Sequence, residues 1–279
     1  MKRKFDFAIG MGPACSCSQT LRKANAQYLS LPFDWIGPDY GKVGWDDDLR
    51  RRTDLICREF KDWLRPEDFT YRGDHPTNGK GIYFNNVLSL IFTHDFPKGI
   101  PMEESFPSIK AKYERRIARL FGLLESSKNV LIARVDRPDL DYRTPIDDCH
   151  YAVRRLGEKF PQAKFHVILL QPQVGISFKN RIVEEVDEVV TRIAFDYQDR
   201  RPGNLAFPML DKTGEAVAAL IKVRDYRTPK EKREKRDRDR KKAFKRFGVK
   251  NGFQLRLVKI KNSIRKRLGK ISGEKTPES

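Results

Sequence analysis

The fold is decided near the N-terminus, in the stretch FDFAIGMGPAC at residues 5–15. Apolar residues alternate weakly over 5–9, which predicts a first strand. The glycines and proline of 10–14 indicate a loop, and a helix is predicted from Cys15 to about Ala26. The stretch therefore predicts a strand, a loop and a helix in immediate succession, with Cys15 at the start of the helix.

Later segments continue this alternation of strands and helices. Two near-continuous apolar runs, at 130–135 and 165–170, are typical of strands that are buried on both faces of a sheet. Amphipathic helices are predicted before them, over 109–124 and 146–160. We therefore expect an α/β fold, in which a mostly parallel sheet is flanked by helices and a basic helical tail follows at the C-terminus.

Weaker patterns occupy the rest of the chain. The spacing of apolar residues over 46–64 predicts a helix, whereas the polar segment 65–80, with its Pro and Gly residues, predicts a surface loop. One further strand is expected within 183–195 and one further helix within 214–223.

The positive charge is concentrated at the C-terminal end. The chain of 279 residues has 57 Lys and Arg against 38 Asp and Glu, a net charge of +19. Residues 228–279 hold 20 of the basic and 6 of the acidic residues, which leaves a net charge of +5 for residues 1–227. We therefore predict an α/β domain over 1–227 and a separate basic, partly disordered tail over 228–279.

This tail combines a charge run with an amphipathic pattern. Residues 230–246 have little apolar content, whereas apolar residues recur every three or four positions over 253–271, which predicts a basic amphipathic helix. We expect the tail to dock on an anionic membrane surface. Nucleic acid is the competing partner and is disfavoured, because the tail has few aromatic residues on which bases could stack.

Several other classes of protein are excluded by composition. No stretch approaches the roughly 20 apolar residues of a membrane-spanning helix, and Asp6 interrupts the short apolar run that a secretory signal would extend. A cytoplasmic location is therefore expected, at most peripheral at the inner membrane surface. The four cysteines are too scattered for a disulfide framework, and the pair Cys15 and Cys17 lacks the further ligands of a zinc site. No cofactor or metal is expected.

Cys15 is the strongest candidate for chemistry. A helix N-terminus presents free N–H groups and a positive dipole end, which lower a thiol pKa and can stabilise an oxyanion. Two alternatives stay open. Cys15 could be a small, inert core residue, or Gly10 and Gly12 could begin a phosphate-binding loop, although a cysteine stands where its third glycine would fall.

A nucleophilic cysteine needs a base, and the chain has four histidines. His75 lies in the polar segment, His166 in a predicted core strand and His150 on a predicted helix. His94 ends a long apolar segment, at the kind of strand end from which catalytic groups emerge, and is the preferred base. A capping or packing role is its alternative.

Asp34 is the candidate for the group that orients this histidine. It lies between Phe33 and Trp35, and a carboxylate in such an apolar setting needs a partner if it is buried. It could serve His94 or Arg134, and a purely structural salt bridge is the alternative.

Four blocks of sequence occur in the same order as in a known family: IGMGPACSCSQTLR at 9–22, PFDWI at 32–36, HDF at 94–96 and KYERRI at 112–117. They resemble the DUF1796 family of papain-like cysteine peptidases, and an apolar strand ending in Arg134 fits the same order. The resemblance covers roughly residues 5–200 and implies that Cys15 is the nucleophile and His94 its partner. The chain departs from the family in Gly10, where serine is frequent, and in its second cysteine, Cys17.

Two hypotheses of function follow. In the first, the protein is a papain-like cysteine peptidase, another hydrolase or an acyltransferase, acting on a peptide, an ester or a glycan. In the second, it is a glycan-pathway transferase or a sugar-nucleotide-binding protein in which Cys15 is structural. Similar proteins encoded among bacterial surface-polysaccharide genes suggest a glycan-related role in either case. Convergence of Cys15, His94 and Asp34 in one concave site would favour the first hypothesis.

Overall fold

The computed structural model describes residues 2–38, 47–139, 142–202 and 207–248, together with four single residues between 254 and 260. The chain divides into two compact units, Met1–Tyr226 and Arg227–Ser279. This division falls one residue before the boundary predicted from the charge distribution.

The strands of the described chain are β1 (Arg3–Phe5), β2 (Phe7–Gly10), β3 (Ile36–Pro38), β4 (Phe69–Asp74), β5 (Gly81–Asn85), β6 (Leu90–Phe92), β7 (Asn129–Val135), β8 (Lys164–Pro172), β9 (Ile182–Glu185), β10 (Val190–Phe195), β11 (Gln198–Asp199), β12 (Phe207–Pro208) and β13 (Ile221–Val223). The helices are α1 (Cys15–Lys23), α2 (Asp48–Cys57), α3 (Met102–Ser126), α4 (Ile146–Lys159), α5 (Leu210–Leu220) and α6 (Pro229–Phe247).

A five-stranded sheet in the order β2-β7-β8-β10-β9 forms the centre of the first unit. Its first four strands are parallel, and β9 pairs antiparallel at the edge. Side chains alternate between two apolar clusters, so that Phe7 and Ile9 of β2 enter one cluster and Ala8 enters the other. Residues of α2, α3 and α4 belong to the first cluster and residues of α1 and α5 to the second. The predicted α/β fold with helices on both faces is confirmed.

A second sheet is inserted between α1 and α3. It is antiparallel, with the order β3-β6-β5-β4. The prediction of a surface loop over 65–80 was wrong for Phe69–Asp74, because these residues form β4. This strand lies at the edge of the sheet with most of its side chains exposed, so its sequence is polar and resembles that of a loop.

The second unit contains α6, in agreement with the prediction of a helical tail. Thr228 and Glu231 form a capping box at its start, and Gly248 ends it with a positive φ of 63°. The amphipathic pattern predicted over 253–271 lies outside the described residues, except for single helical positions such as Ile260. Among the helices that the structure describes, none is both long and apolar enough to cross a membrane.

Candidate active site

Cys15 and His94 line one cavity at the edge of the central sheet where its parallel strands end. The cavity has a volume of about 400 Å³. Cys15 begins α1, directly after the four-residue loop that leaves β2, and Arg137 follows the end of the neighbouring strand β7. The carboxyl ends of parallel strands are the usual place for ligands in open α/β sheets. The other residues that line the cavity are Ala14, Trp35, Ile36, Gly37, His75, Ile91, Thr93 and Asp139.

The Cys15 thiol is half-buried and protonated at neutral pH. Burial raises its pKa, and this effect outweighs the opposing hydrogen bond from Gln19, the charge of Arg137 and the backbone N–H groups of the first helical turn. The net direction therefore differs from the lowering expected for a cysteine at a helix N-terminus, because desolvation disfavours the thiolate. The first turn of α1 has no side-chain cap, so its N–H groups can serve an oxyanion.

His94 follows β6, in the second sheet, and is also half-buried. Its ring meets that of Trp35 edge-on with 5.3 Å between centroids, and the His75 ring lies 6.1 Å away. Burial lowers the pKa of His94; the charge of Asp95 opposes this effect, and the neighbouring Lys112 and Lys80 add to it. The imidazole is therefore neutral at neutral pH.

Asn78, in the connection between β4 and β5, holds the His94 ring. Its Oδ1 accepts a hydrogen bond from the Lys80 backbone N–H at 3.0 Å, and its Nδ2 donates to the Thr93 carbonyl oxygen at 2.9 Å. These two bonds fix the amide, so that Nδ2 also faces His94 Nδ1, at 3.3 Å. Nδ1 then accepts, and the neutral ring carries its proton on Nε2. Asn78 was not among the residues predicted from the sequence.

Asp34 is buried beside the site, and its contacts match the structural alternative. Its carboxylate accepts hydrogen bonds from Arg22 at 2.9 Å, from Gln27 at 2.7 and 2.9 Å, and from the Leu31 backbone N–H at 3.0 Å. Burial raises the pKa of Asp34, although the hydrogen bonds from these partners favour a lower one. Asn78 holds His94, whereas Thr144 and Asp48 accept hydrogen bonds from Arg134. The structure therefore does not bring Asp34 to either of its predicted partners.

The other cysteine of the pair has a structural role. Cys17 is buried, its Sγ donates to the Ala133 carbonyl oxygen at 3.1 Å, and burial raises its pKa to about 12. Within the described residues, no cluster of His, Cys, Asp and Glu is arranged to hold a metal ion.

Two curated proteins illustrate what the chain is similar to. The "Uncharacterized protein R408" of Acanthamoeba polyphaga mimivirus is 27% identical over 143 residues, covering 45% of this chain and 60% of the viral protein. The "Alpha,alpha-trehalose-phosphate synthase [UDP-forming] A" of Dictyostelium discoideum is 33% identical over 122 residues, covering 42% of this chain and 16% of the synthase. The chain thus spans less than two thirds of either relative. No solved structure matches it.

The family comparison extends over more than half of the chain. The matching family is described as "Putative papain-like cysteine peptidase (DUF1796)", and the match covers residues 6–169. This range includes the second sheet, strands β2 and β7 and most of β8 of the central sheet, and both Cys15 and His94. The chain belongs to the DUF1796 family.

Proposed function

We propose that the protein is a cysteine-dependent hydrolase or acyltransferase of the papain-like kind, with Cys15 as nucleophile and His94 as its acid–base partner. One observation carries the proposal: Cys15 follows a strand of the central sheet and His94 a strand of the second sheet, 79 positions apart in the sequence, yet both line the same cavity. Trp35 and Ile91 supply the apolar part of its wall.

The reaction begins from a neutral pair. The Cys15 sulfur attacks the substrate carbonyl, an S–C bond forms, and the carbonyl electron pair moves to the oxygen, where N–H groups of the first turn of α1 stabilise it. The thiol proton passes to His94 during the attack and then to the leaving amine or alcohol as its bond to the carbonyl carbon breaks. Water or another acyl acceptor next attacks the thioester, and its proton passes through His94 to the departing sulfur.

Asn78 restrains the first of these steps. In the neutral His94 ring, the unprotonated nitrogen is Nδ1, and this nitrogen already accepts a hydrogen bond from the Asn78 amide. Protonation of His94 therefore costs that hydrogen bond unless the amide turns, and Lys80 and Thr93 hold the amide in place. Asp34 acts at a distance from the chemistry, by fixing the turn that presents Trp35 to the cavity.

The test is covalent labelling of Cys15. The full-length protein is treated near neutral pH with a peptidyl acyloxymethyl ketone, a thiol-directed electrophile whose carbonyl stands in for that of a substrate. We expect one label per chain, lost in Cys15→Ala and strongly reduced in His94→Ala. Cys57→Ala is the matched control, because Cys57 is the other partly exposed cysteine. Equal labelling of Cys15→Ala and the wild type would refute the proposal.

The second candidate function is binding of a sugar nucleotide, with Cys15 as a structural residue. A larger cavity of about 1050 Å³ favours it, formed by the segments that follow β8 and β10 and by the start of α5. One relative is named as a UDP-forming synthase. If this candidate is correct, a UDP-sugar raises the melting temperature of the wild type and Cys15→Ser alike. No shift across a panel of nucleotide sugars would count against it.

For the tail we propose docking on an anionic membrane surface. Lys232, Arg236 and Arg240 follow one another at i, i+4 and i+8 along α6, and Phe244 and Phe247 continue the same stripe. Each basic residue near such a surface contributes about 1 kcal/mol, and the phenylalanines add apolar contact. Electrostatic attraction to anionic lipids is therefore the main contribution that α6 can make to docking.

Charge reversal tests this surface in the full-length chain. The triple variant with Lys232→Glu, Arg236→Glu and Arg240→Glu is expected to lose co-sedimentation with phosphatidylserine vesicles. The matched control reverses three other charges of α6, Arg238, Lys241 and Lys245, which lie off the stripe. Equal loss in both variants would refute a defined face, and binding to RNA but not to vesicles would favour nucleic acid.

A further inference from the structure

A buried ionic cluster lies directly beneath the loop that carries Cys15. Arg52, Arg134 and Asp48 are fully buried. The Asp48 carboxylate accepts from Arg52 Nε at 2.9 and 3.0 Å and from Arg134 Nη1. Asp136 lies 3.5 Å from Arg134 Nε, so two guanidinium groups and two carboxylates balance in charge.

The two guanidinium groups bind the backbone of two separate segments, the loop that leads to Cys15 and the segment that contains Ile36. Arg134 Nη1 donates to the Met11 carbonyl oxygen at 2.8 Å, four residues before Cys15. Arg52 Nη2 donates to the Ile36 carbonyl oxygen at 3.3 Å, and Ile36 lines the cavity wall. Asp48 therefore links the loop before Cys15 to the Ile36 segment through two arginines.

Gly12 makes the loop depend on this cluster. It has a positive φ of 82°, and a β-carbon there would lie 2.8 Å from Arg52 Nε and 3.1 Å from Arg134 Nη1. The loop backbone thus rests directly on both guanidinium groups, and only glycine allows this approach. A side chain at position 12 must displace either the loop or the arginines.

Stability alone is a poor reason for such a cluster. Taking charges out of water is costly, and apolar residues of similar size often replace buried ion pairs without loss of stability. What an apolar replacement could not provide is the pair of hydrogen bonds to the Met11 and Ile36 carbonyl oxygens. A buried cluster that binds the backbone of both segments is suited to holding them at a fixed separation.

We infer that Arg134, Asp48 and Arg52 are positioning residues that hold the Gly12–Cys15 loop against the cavity wall and so set where the Cys15 thiol lies relative to His94. Their importance for catalysis rests on the proposed function. The placement of the thiol does not, because it can be measured on Cys15 by itself.

The experiment measures the rate at which iodoacetamide alkylates Cys15, followed by mass spectrometry of the Cys15 peptide, well below the melting temperature. The variants are Arg134→Lys, which keeps the charge but loses the planar fork, and Gly12→Ala, which adds one methyl group. Leu156→Ala is the control, because it opens a cavity in α4 and lowers the melting temperature away from the loop.

We expect alkylation to rise about threefold or more in both test variants, because a displaced loop exposes a thiol that is half-buried in the wild type. Leu156→Ala should stay within about twofold of the wild type. Unchanged alkylation in Arg134→Lys, or a rise confined to Gly12→Ala, would overturn the inference; if Arg134→Lys does not fold, Arg52→Lys replaces it. Failure of the wild type to react with the acyloxymethyl ketone would refute the proposed function alone, because iodoacetamide requires only a thiol.

Discussion

Replacing Asn78 by Asp should turn His94 into a much stronger base. In the wild type, the Asn78 amide donates to His94 Nδ1 at 3.3 Å and so favours the neutral ring. A carboxylate at that position accepts from Nδ1–H and favours the imidazolium. Two unit charges 3.3 Å apart attract by about 1.3 kcal/mol in water and by about 5 kcal/mol at an effective dielectric constant of 20. For a half-buried ring, even the lower figure corresponds to nearly a tenfold gain in proton affinity.

NMR titration of the His94 ring protons measures this change. The pKa of His94, which burial lowers in the wild type, is expected to rise in Asn78→Asp. Alkylation of Cys15 at pH 7 should increase with it, since a nearby imidazolium favours the thiolate. Asn86→Asp is the control: it adds the same charge to the same sheet, and its amide contacts Asp68 and Thr70. A His94 midpoint that stays constant or falls in Asn78→Asp would refute the assigned orientation of the amide.

Further predictions concern stability. Gly214→Ala is expected to destabilise the fold by about 1–3 kcal/mol, because the new methyl carbon would lie 2.5 Å from Lys23 Cβ where α5 meets α1. Gly122→Ala, in open space on α3, should stabilise the fold by about 0.5–1 kcal/mol. Urea denaturation of both variants measures these opposite changes in the free energy of unfolding. Burial and the neighbouring Arg3 lower the pKa of His166 below its ordinary 6.5. The unfolded chain then binds the proton more readily than the folded protein, so stability should fall as the pH drops below 6.5. The fall should be less steep in His166→Gln. Parallel slopes of melting temperature against pH for the variant and the wild type would contradict this.

The central sheet could be predicted because its strands are buried on both faces. In β7, Val130 and Ile132 enter one apolar cluster while Leu131 and Ala133 enter the other, so the whole run had to be apolar. β4 could not be recognised in the same way, because most of its side chains are exposed. Apolar content reports burial, and an exposed edge strand has little of it.

The candidate site was predictable only where residue type limits the choice. Of the four histidines in the chain, His94 was preferred, and it lines the cavity with Cys15, as His75 also does. Asn78 could not be selected, since nothing distinguishes its amide from other polar loop residues until β4 and β5 bring it beside the ring. The expectation that a buried Asp34 must have partners agrees with the structure, but Arg22 and Gln27 on the adjacent segment supply them. Arg134 and Asp48 are 86 positions apart, a separation that local patterns do not bridge.

The inserted second sheet has a consequence for how the proposed chemistry could be varied. The central sheet supplies Cys15, whereas the β4–β5 connection and the end of β6 supply Asn78 and His94. The proposed nucleophile and its proposed acid–base partner therefore lie on separate structural modules. Under the proposed function, substitutions in the insertion would alter proton transfer and the cavity wall while the loop before Cys15 keeps its support. The two halves of such a site can change independently of each other.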